Sequence, residues 1–445
     1  MAPGILLTRS EKRSIGRSAL VRVSTTPLTA FAGLLVAYLQ LSFAGPSQYA
    51  LVAVVSTLPL LFSFSDLGLG APVMSAYAKW LTDREVAERT ARAALRLLAL
   101  VALVIVALSL IAAATQLWPA LLGLDVSGPG GWIVSGGVGL FALSIPFSLG
   151  ARILSGIGRN AISALLPAIA TGTSLAWTGV VVGLDAPAVA LCLAVPGGFA
   201  VSAIVGFLIA MRATHGWRSV VRNSWLRQPA RGLLRGSGAA LIVAIGLPLG
   251  LQSGRIILAH FSTPDEVAVF SLALQLYGVA WSVISVSGLA LWPIFTRRQD
   301  NSSDSMRLWW RFTALLGGVG LLALPAFAFG LPLFTVIVSG GQLTASLLVG
   351  GATGLLFLGQ CLHLTSGMMF TRPRELSWQA YCVGAMAIAS VTLGTLLATT
   401  FGAAGVACAA ASGVIFAQFL PDVVWKGVLL GRRTRTVGEW EEAKS

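Results

Sequence analysis

Six ionisable side chains stand inside apolar runs of this sequence: Arg22, Asp66, Arg152, Arg255, His363 and Asp422. Placing a charge in hydrocarbon costs at least about 3 kcal/mol even on a lenient scale, so such groups are read first as parts of a site. A guanidinium keeps its proton and grips phosphate or carboxylate through two parallel hydrogen bonds, which makes a buried arginine a receptor for an anion. A carboxylate or imidazole in the same setting pairs with a neighbour or takes a cation or a proton. Nothing accompanies these groups that would carry covalent or metal chemistry, for GxxxxGK[ST], HExxH, CxxC and GxSxG are all missing. The four cysteines, Cys192, Cys361, Cys382 and Cys408, stand singly in apolar runs and read as small core residues. No metal site, no cofactor and no catalytic residue is expected, and the chemistry to look for is binding and movement of charge.

The elements that hold these groups are membrane helices. A chain of 445 residues with 56% hydrophobic and 10% charged residues and a mean hydropathy of +0.84 cannot cover itself with a water-soluble surface. The expected class is an all-α polytopic membrane protein with twelve transmembrane helices, at 18–43, 49–79, 94–115, 132–156, 160–183, 187–211, 236–261, 266–295, 308–330, 343–370, 376–401 and 403–426. Even-numbered turns such as "TDREVAERTARAALR", "TRRQDNSSDSMRLWWR" and "TRPRE" are basic. Odd-numbered turns such as "AGPSQ", "STPDE" and "FGAAG" hold no Lys or Arg. The positive-inside rule then places both termini in the cytoplasm, with the first helix as targeting signal. On this reading 29 of the 30 basic residues face the cytoplasm, and Arg255 is the exception. The pI near 10.8 is therefore a matter of topology, and no nucleic-acid partner is implied.

Two halves of the chain repeat. "FAGPSQYA" from Phe43 is answered by "FSTPDEVA" from Phe261, 218 residues later, and the same offset pairs Lys79 with Arg297. The expected organisation is a six-helix bundle at 1–211, a cytoplasmic amphipathic linker at 212–235 carrying Trp217 and Trp225, and a second bundle at 236–445 with a basic cytoplasmic tail. The two bundles are read as pseudo-symmetric around a central cavity. Pro27 and Pro248 occupy nearly matching places in the first helix of each half, and both are expected to bend their helices as part of gating.

At about 1.5 Å per residue, five of the six charges fall some 27–30 Å from the outer turns, in the cytoplasmic third. Arg22 and Asp66 are at similar depth on adjacent helices and are candidates for an ion pair, with Asp66 also the first candidate for ion coupling. Snorkelling to the inner headgroups is the bland alternative for Arg22 and Arg152. Arg255 lies only about 9 Å below its outer turn. It is expected in a cavity that receives an anion near the outer leaflet, with Gln252 and His260 adding polar contacts, and snorkelling to the outer headgroups is its bland alternative.

"FSFSDLGLGAPVMSAYAK" at 62–79 is similar to the second helix of the Wzx-type polysaccharide flippases. "FAGPSQYALVAV" resembles that family's first outer turn, and "GRIILAHFSTPDEVAVFSLALQLYGVAWSVISVSGLALWPIF" its seventh and eighth helices. The family belongs to the multidrug/oligosaccharidyl-lipid/polysaccharide exporter superfamily, together with lipid II flippases and multidrug extruders. Many relatives carry an acid just before the basic residue of the seventh helix; here that position is Gly254. The resemblance implies a non-enzymatic flippase of the bacterial cytoplasmic membrane. Its cargo would be a polyprenyl-diphosphate-linked oligosaccharide, moved from inner to outer leaflet by alternating access. Arg22, Arg152 and Arg255 would receive the diphosphate, with membrane lipids around the chain and room for a polysaccharide polymerase or ligase partner. Coupling to Na+, H+ or the membrane potential stays open. So do two rival readings, a multidrug extruder driven by Na+ or H+ and a membrane glycosyltransferase or polymer ligase.

Overall fold

The computed structural model describes residues 9–61, 68–126, 128–216, 220, 238–289, 291, 294–295, 302–370 and 372–425, with the backbone alone for 9–20, 22–24, 238–240, 286–287, 289, 302 and 373. Among the described residues every regular element is helical, as long apolar runs without a sheet partner require. Among the described residues nine helices are long and apolar enough to cross a membrane, and a tenth candidate is a pair bent by 45°. The protein is a multi-pass membrane protein.

In the first half, α1 spans Arg9–Leu61, α2 Gly70–Ala78 and α3 Arg84–Ala114. They are followed by α4 (Trp118–Leu122), α5 (Gly130–Phe147), α6 (Leu149–Gly156), α7 (Asn160–Gly183) and, after a 3-10 turn, α8 (Ala194–Thr214). In the second half, α9 spans Gly238–Gln252, α10 Gly254–Phe261, α11 Pro264–Leu289, α12 Ser302–Val338, α13 Leu347–Met369 and α14 Pro373–Ser412. A π-helical stretch, Gly413–Phe419, continues α14.

Two of these helices are interrupted. A straight run of the 37 residues Thr25–Leu61 would measure about 55 Å, far beyond the roughly 30 Å of hydrocarbon. It breaks at Gly45, whose φ of 72° and ψ of 171° leave the helical region. α14 breaks likewise at Gly402, with φ 52° and ψ −133°. Both breaks fall where the hydropathy pattern sets an outer turn. The break at Gly402 is stapled, because the Glu266 carboxylate accepts the backbone N–H of Ala403 at 2.6 Å.

The chain divides into two compact units, Met1–Ala44 with Phe62–Ser237, and Gly45–Leu61 with Gly238–Ser445. Residues 45–61, on the first-half side of the sequence repeat, thus pack with the second unit. The first unit is built on close approach of small residues. A Cβ at Gly150 would stand 2.3 Å from the backbone nitrogen of Phe207, and one at Gly198 2.3 Å from the carbonyl oxygen of Ala170. Such contacts replace the hydrophobic drive that lipid does not supply. In the second unit an aromatic cluster of Tyr277, Trp281, Phe327 and Phe357 joins α11, α12 and α13.

Several boundaries differ from the sequence reading. α12 runs from Ser302 to Val338 where 308–330 was expected, because "LPLFTVIV" continues the helix and the turn begins only at Ser339. α3 begins at Arg84, with Asp83 accepting the N–H of Val86 at 3.3 Å as its cap, so most of "TDREVAERTARAALR" is helix rather than turn. The bend of the seventh span does not sit at Pro248, which lies within α9. It lies at Ser253, between α9 and α10, where the Ser253 hydroxyl donates to the Leu249 carbonyl at 2.5 Å. At Pro27 the backbone keeps helical φ and ψ, and Gly45 is the non-helical position within α1. The linker at 212–235 lies outside the described residues except for 212–216 and Val220, and so does Asp66.

Candidate functional site

In the first unit the described part of the DLGLG stretch explains its own spelling. Gly68 adopts φ +70°, which residues with a Cβ rarely take. Leu69 is fully buried in the core with Val73, Leu149 and Ile153. Gly70 opens α2 against Arg152: a Cβ there would stand 2.7 Å from the guanidinium Nε and 3.1 Å from Cδ. The motif is thus a seat for an arginine on α6, which is itself exposed. The side chain of Arg22 lies outside the described residues, so its expected pairing with Asp66 is not seen.

A cation that the sequence reading assigned to a cytoplasmic turn also belongs to this unit. Arg96 stands twelve residues into α3, about 18 Å along the helix from Arg84. Its Nε and Nη2 are buried with no hydrogen-bond acceptor. Misjudging where α3 starts concealed it, and the cap at Asp83 was the available signal.

In the second unit Arg255 is fixed by two hydroxyls. Its Nε donates to Ser271 Oγ at 3.0 Å and its Nη1 to Thr57 Oγ1 at 2.8 Å. Each hydroxyl hands its own proton to the carbonyl one helical turn earlier, Ser271 to Val267 at 2.7 Å and Thr57 to Ala53 at 2.8 Å. Both oxygens are therefore oriented as acceptors, and the guanidinium keeps further N–H groups for a ligand. Among the described residues no carboxylate lies within ion-pair distance of Arg255. The neighbouring position cannot supply one, because a Cβ at Gly254 would come within 2.7 Å of the Phe270 ring and 2.6 Å of Val406.

The partners expected around Arg255 are not assembled in this way. Gln252 ends α9 on the far side of the 45° bend. His260 is exposed, with Nδ1 2.9 Å from the Ile256 carbonyl oxygen. Thr57 and Ser271 take their place. They come from residues 198 and 16 positions away in the chain, and no local pattern announces them.

A second polar group in the same unit escaped assignment. Asp422 is fully buried; its Oδ1 accepts from Trp378 Nε1 at 2.9 Å, and its Oδ2 is 3.2 Å from His363 Nδ1. Asp422 and His363 line a cavity of about 180 Å³ with Gln379, Cys382 and Gln418. His363 and Asp422 were noted in the sequence as ionisable groups of similar depth, but their pairing joins α13 to the last helix, residues 403–425 beyond the Gly402 break, across nearly sixty residues. No group of three or more His, Cys, Asp or Glu able to hold a metal ion occurs among the described residues.

Comparison of the sequence with protein-family models and with curated proteins finds no match. Comparison of the structure with solved structures does. An inward-facing multidrug resistance MATE family transporter of the MOP superfamily aligns with a TM-score of 0.67 at 16% identity, over 94% of this chain and 99% of that one. The lipid II flippase MurJ in an inward closed conformation aligns with a TM-score of 0.61 at 15% identity, over 89% and 86%. The fold is that of the MATE and MurJ transporters. A further MOP-superfamily structure, from Pyrococcus furiosus and described by the reversed polarity of its binding pocket, has a TM-score of 0.61 at 16% identity over 95% and 96%. Against this MATE/MurJ-type fold, the arrangement around Arg255 can bind an anion, and the arrangement around Asp422 can hold a cation or a proton. Neither has the nucleophile and base geometry of covalent catalysis.

Proposed function

We propose that the protein is a flippase for a polyprenyl-diphosphate-linked oligosaccharide, moving it from the inner to the outer leaflet of the bacterial cytoplasmic membrane by alternating access. The observation that carries this reading is Arg255, anchored by two oriented hydroxyls and without a carboxylate partner among the described residues. A half-buried cation left in that state awaits an anion, and guanidinium suits the two phosphates of such a carrier. Arg152 on its glycine seat would meet the diphosphate deeper in the membrane, with Arg22 as a further contact. An inside-negative potential of 100 mV favours outward movement of two negative charges by about 4–5 kcal/mol. It supplies direction, while the arginines lower the cost of carrying phosphate through low dielectric. Asp66 stays a candidate for coupling to Na+ or H+, and a polymerase or ligase would take up the product outside.

The MATE-type neighbours favour a second reading, export of cationic amphiphiles, which calls for acids rather than an arginine on the transport path. The test is a sidedness assay in proteoliposomes with a fluorescent lipid-linked oligosaccharide, run beside uptake of a cationic dye. Flipping that R255A abolishes without loss of folded yield supports the proposal. Dye transport without flipping sinks it, and a glycosidic product made from nucleotide sugars would turn the protein into an enzyme.

A further inference from the structure

The group around Asp422 takes no part in the reading above, and the other half of the sequence repeat does not carry it. The 218-residue offset of the sequence repeat maps His363, Asp422, Gln418, Gln379 and Cys382 onto Ile145, Ile204, Ala200, Ala161 and Ala164. The first half fills the corresponding positions with apolar side chains, and Ile145 and Ala200 are only 3% and 2% exposed. Substituting polar groups at those places in a membrane protein costs stability unless something is gained.

The polar groups are also incompletely satisfied. Gln418 is fully buried and lines the cavity, yet neither its Nε2 nor its Oε1 has a hydrogen-bond partner. Asp422 Oδ2 faces His363 Nδ1 at 3.2 Å without the alignment of a hydrogen bond. Gln418 belongs to the π-helical stretch Gly413–Phe419, and such stretches concentrate at functional sites because they aim side chains that an α-helix would turn aside. A buried amide with both ends open calls for a small mobile occupant such as water or a proton carried on it.

We propose that His363 and Asp422, with Gln418 and Trp378 around them, form a proton-binding site in the second unit. The imidazole takes one proton through the cavity and becomes a cation against the Asp422 carboxylate; loss of that proton leaves neutral imidazole beside the same carboxylate. A hard cation such as Na+ fits less well. It wants a shell of oxygens, and here a ring nitrogen stands against the free carboxylate oxygen. Among the described residues that line the cavity from α9, α13, α14 and the last helix, the other titratable group is the Cys382 thiol, and no Lys, Arg or Glu faces the pair.

Trp378 supplies a readout independent of any cargo, because its indole N–H is bonded to the carboxylate that the imidazolium neutralises. Full-length protein in nanodiscs of neutral lipid is titrated from pH 8 to pH 5 while tryptophan emission is followed. A pH-dependent component is expected that is lost in W378F, lost in H363Q and kept in H215N. D422N retains an acceptor for the indole but removes the charge, and it too is expected to lose the component. It carries the test if H363Q fails to fold. Persistence of the component in folded H363Q or D422N overturns the proposal, as does its absence from the unaltered protein. The same emission change on adding Na+ at a fixed pH of 8 would also overturn it. None of these outcomes depends on which substrate is transported.

Discussion

The most direct test of the Arg255 arrangement is a double-mutant cycle between Thr57 and Arg255. Thr57→Val keeps the shape of the side chain and removes the oxygen that accepts Nη1 at 2.8 Å. It also removes the hydroxyl's own bond to the Ala53 carbonyl, but that loss occurs whether or not the arginine is present and cancels in the cycle. Hydrogen bonds between membrane helices average about 0.6 kcal/mol in such cycles and reach about 1.7. Charge assistance roughly doubles a neutral bond, so the expected coupling is about 1–2 kcal/mol. Thr57→Val should therefore cost about that much more in the parent than in an Arg255→Met background. The measurement is unfolding in mixed detergent micelles, followed by helical circular dichroism, for the four proteins of the cycle. Additivity within about 0.5 kcal/mol would mean that the hydroxyl does not hold the guanidinium and that the oriented-acceptor reasoning is mistaken.

Two glycine substitutions separate a seat from a structural contact. Gly70→Ala presses on the movable end of Arg152, so thermal stability should change little while flipping falls several-fold. Gly150→Ala presses on the Phe207 backbone at 2.3–2.4 Å and should cost stability of at least about 2–3 kcal/mol, lowering the folded yield in a size-exclusion assay. Glu266→Gln weakens a charge-assisted bond at the Gly402 break, so a loss of about 1 kcal/mol and faster hydrogen exchange at the start of the last helix are expected. Unchanged exchange there would show that the break holds without its staple.

Much of the architecture is readable from hydropathy because the bilayer imposes length. The turns expected after Phe43 and near Phe401 coincide with the breaks at Gly45 and Gly402 for that reason. The site is less readable. Arg255 stands out in the sequence as a charge out of place, but its partners are hydroxyls, and threonines and serines are too common in membrane helices to signal anything. The bend was sought at Pro248 because proline removes a helical hydrogen bond, whereas a serine hydroxyl bonding backward and a glycine made to fit between Phe270 and Val406 provide it at Ser253. The pairing of Arg152 with Gly70, and of His363 with Asp422, is made by packing between distant helices, which periodicity along one helix does not encode.

The tight fit at Gly254 carries a consequence for how this chain can change. Placing an acid beside Arg255 is not open to a single substitution. The new side chain would collide with the Phe270 ring and with Val406, so both would have to shrink before the charge could be neutralised from within its own helix. Intermediates on that route carry either a clash or a void of aromatic size, each worth about 3 kcal/mol or more. The sign of the charge in this part of the molecule is thus guarded by the volume of two apolar neighbours, and a search for variants with altered cargo polarity should begin at Phe270 and Val406 rather than at the arginine.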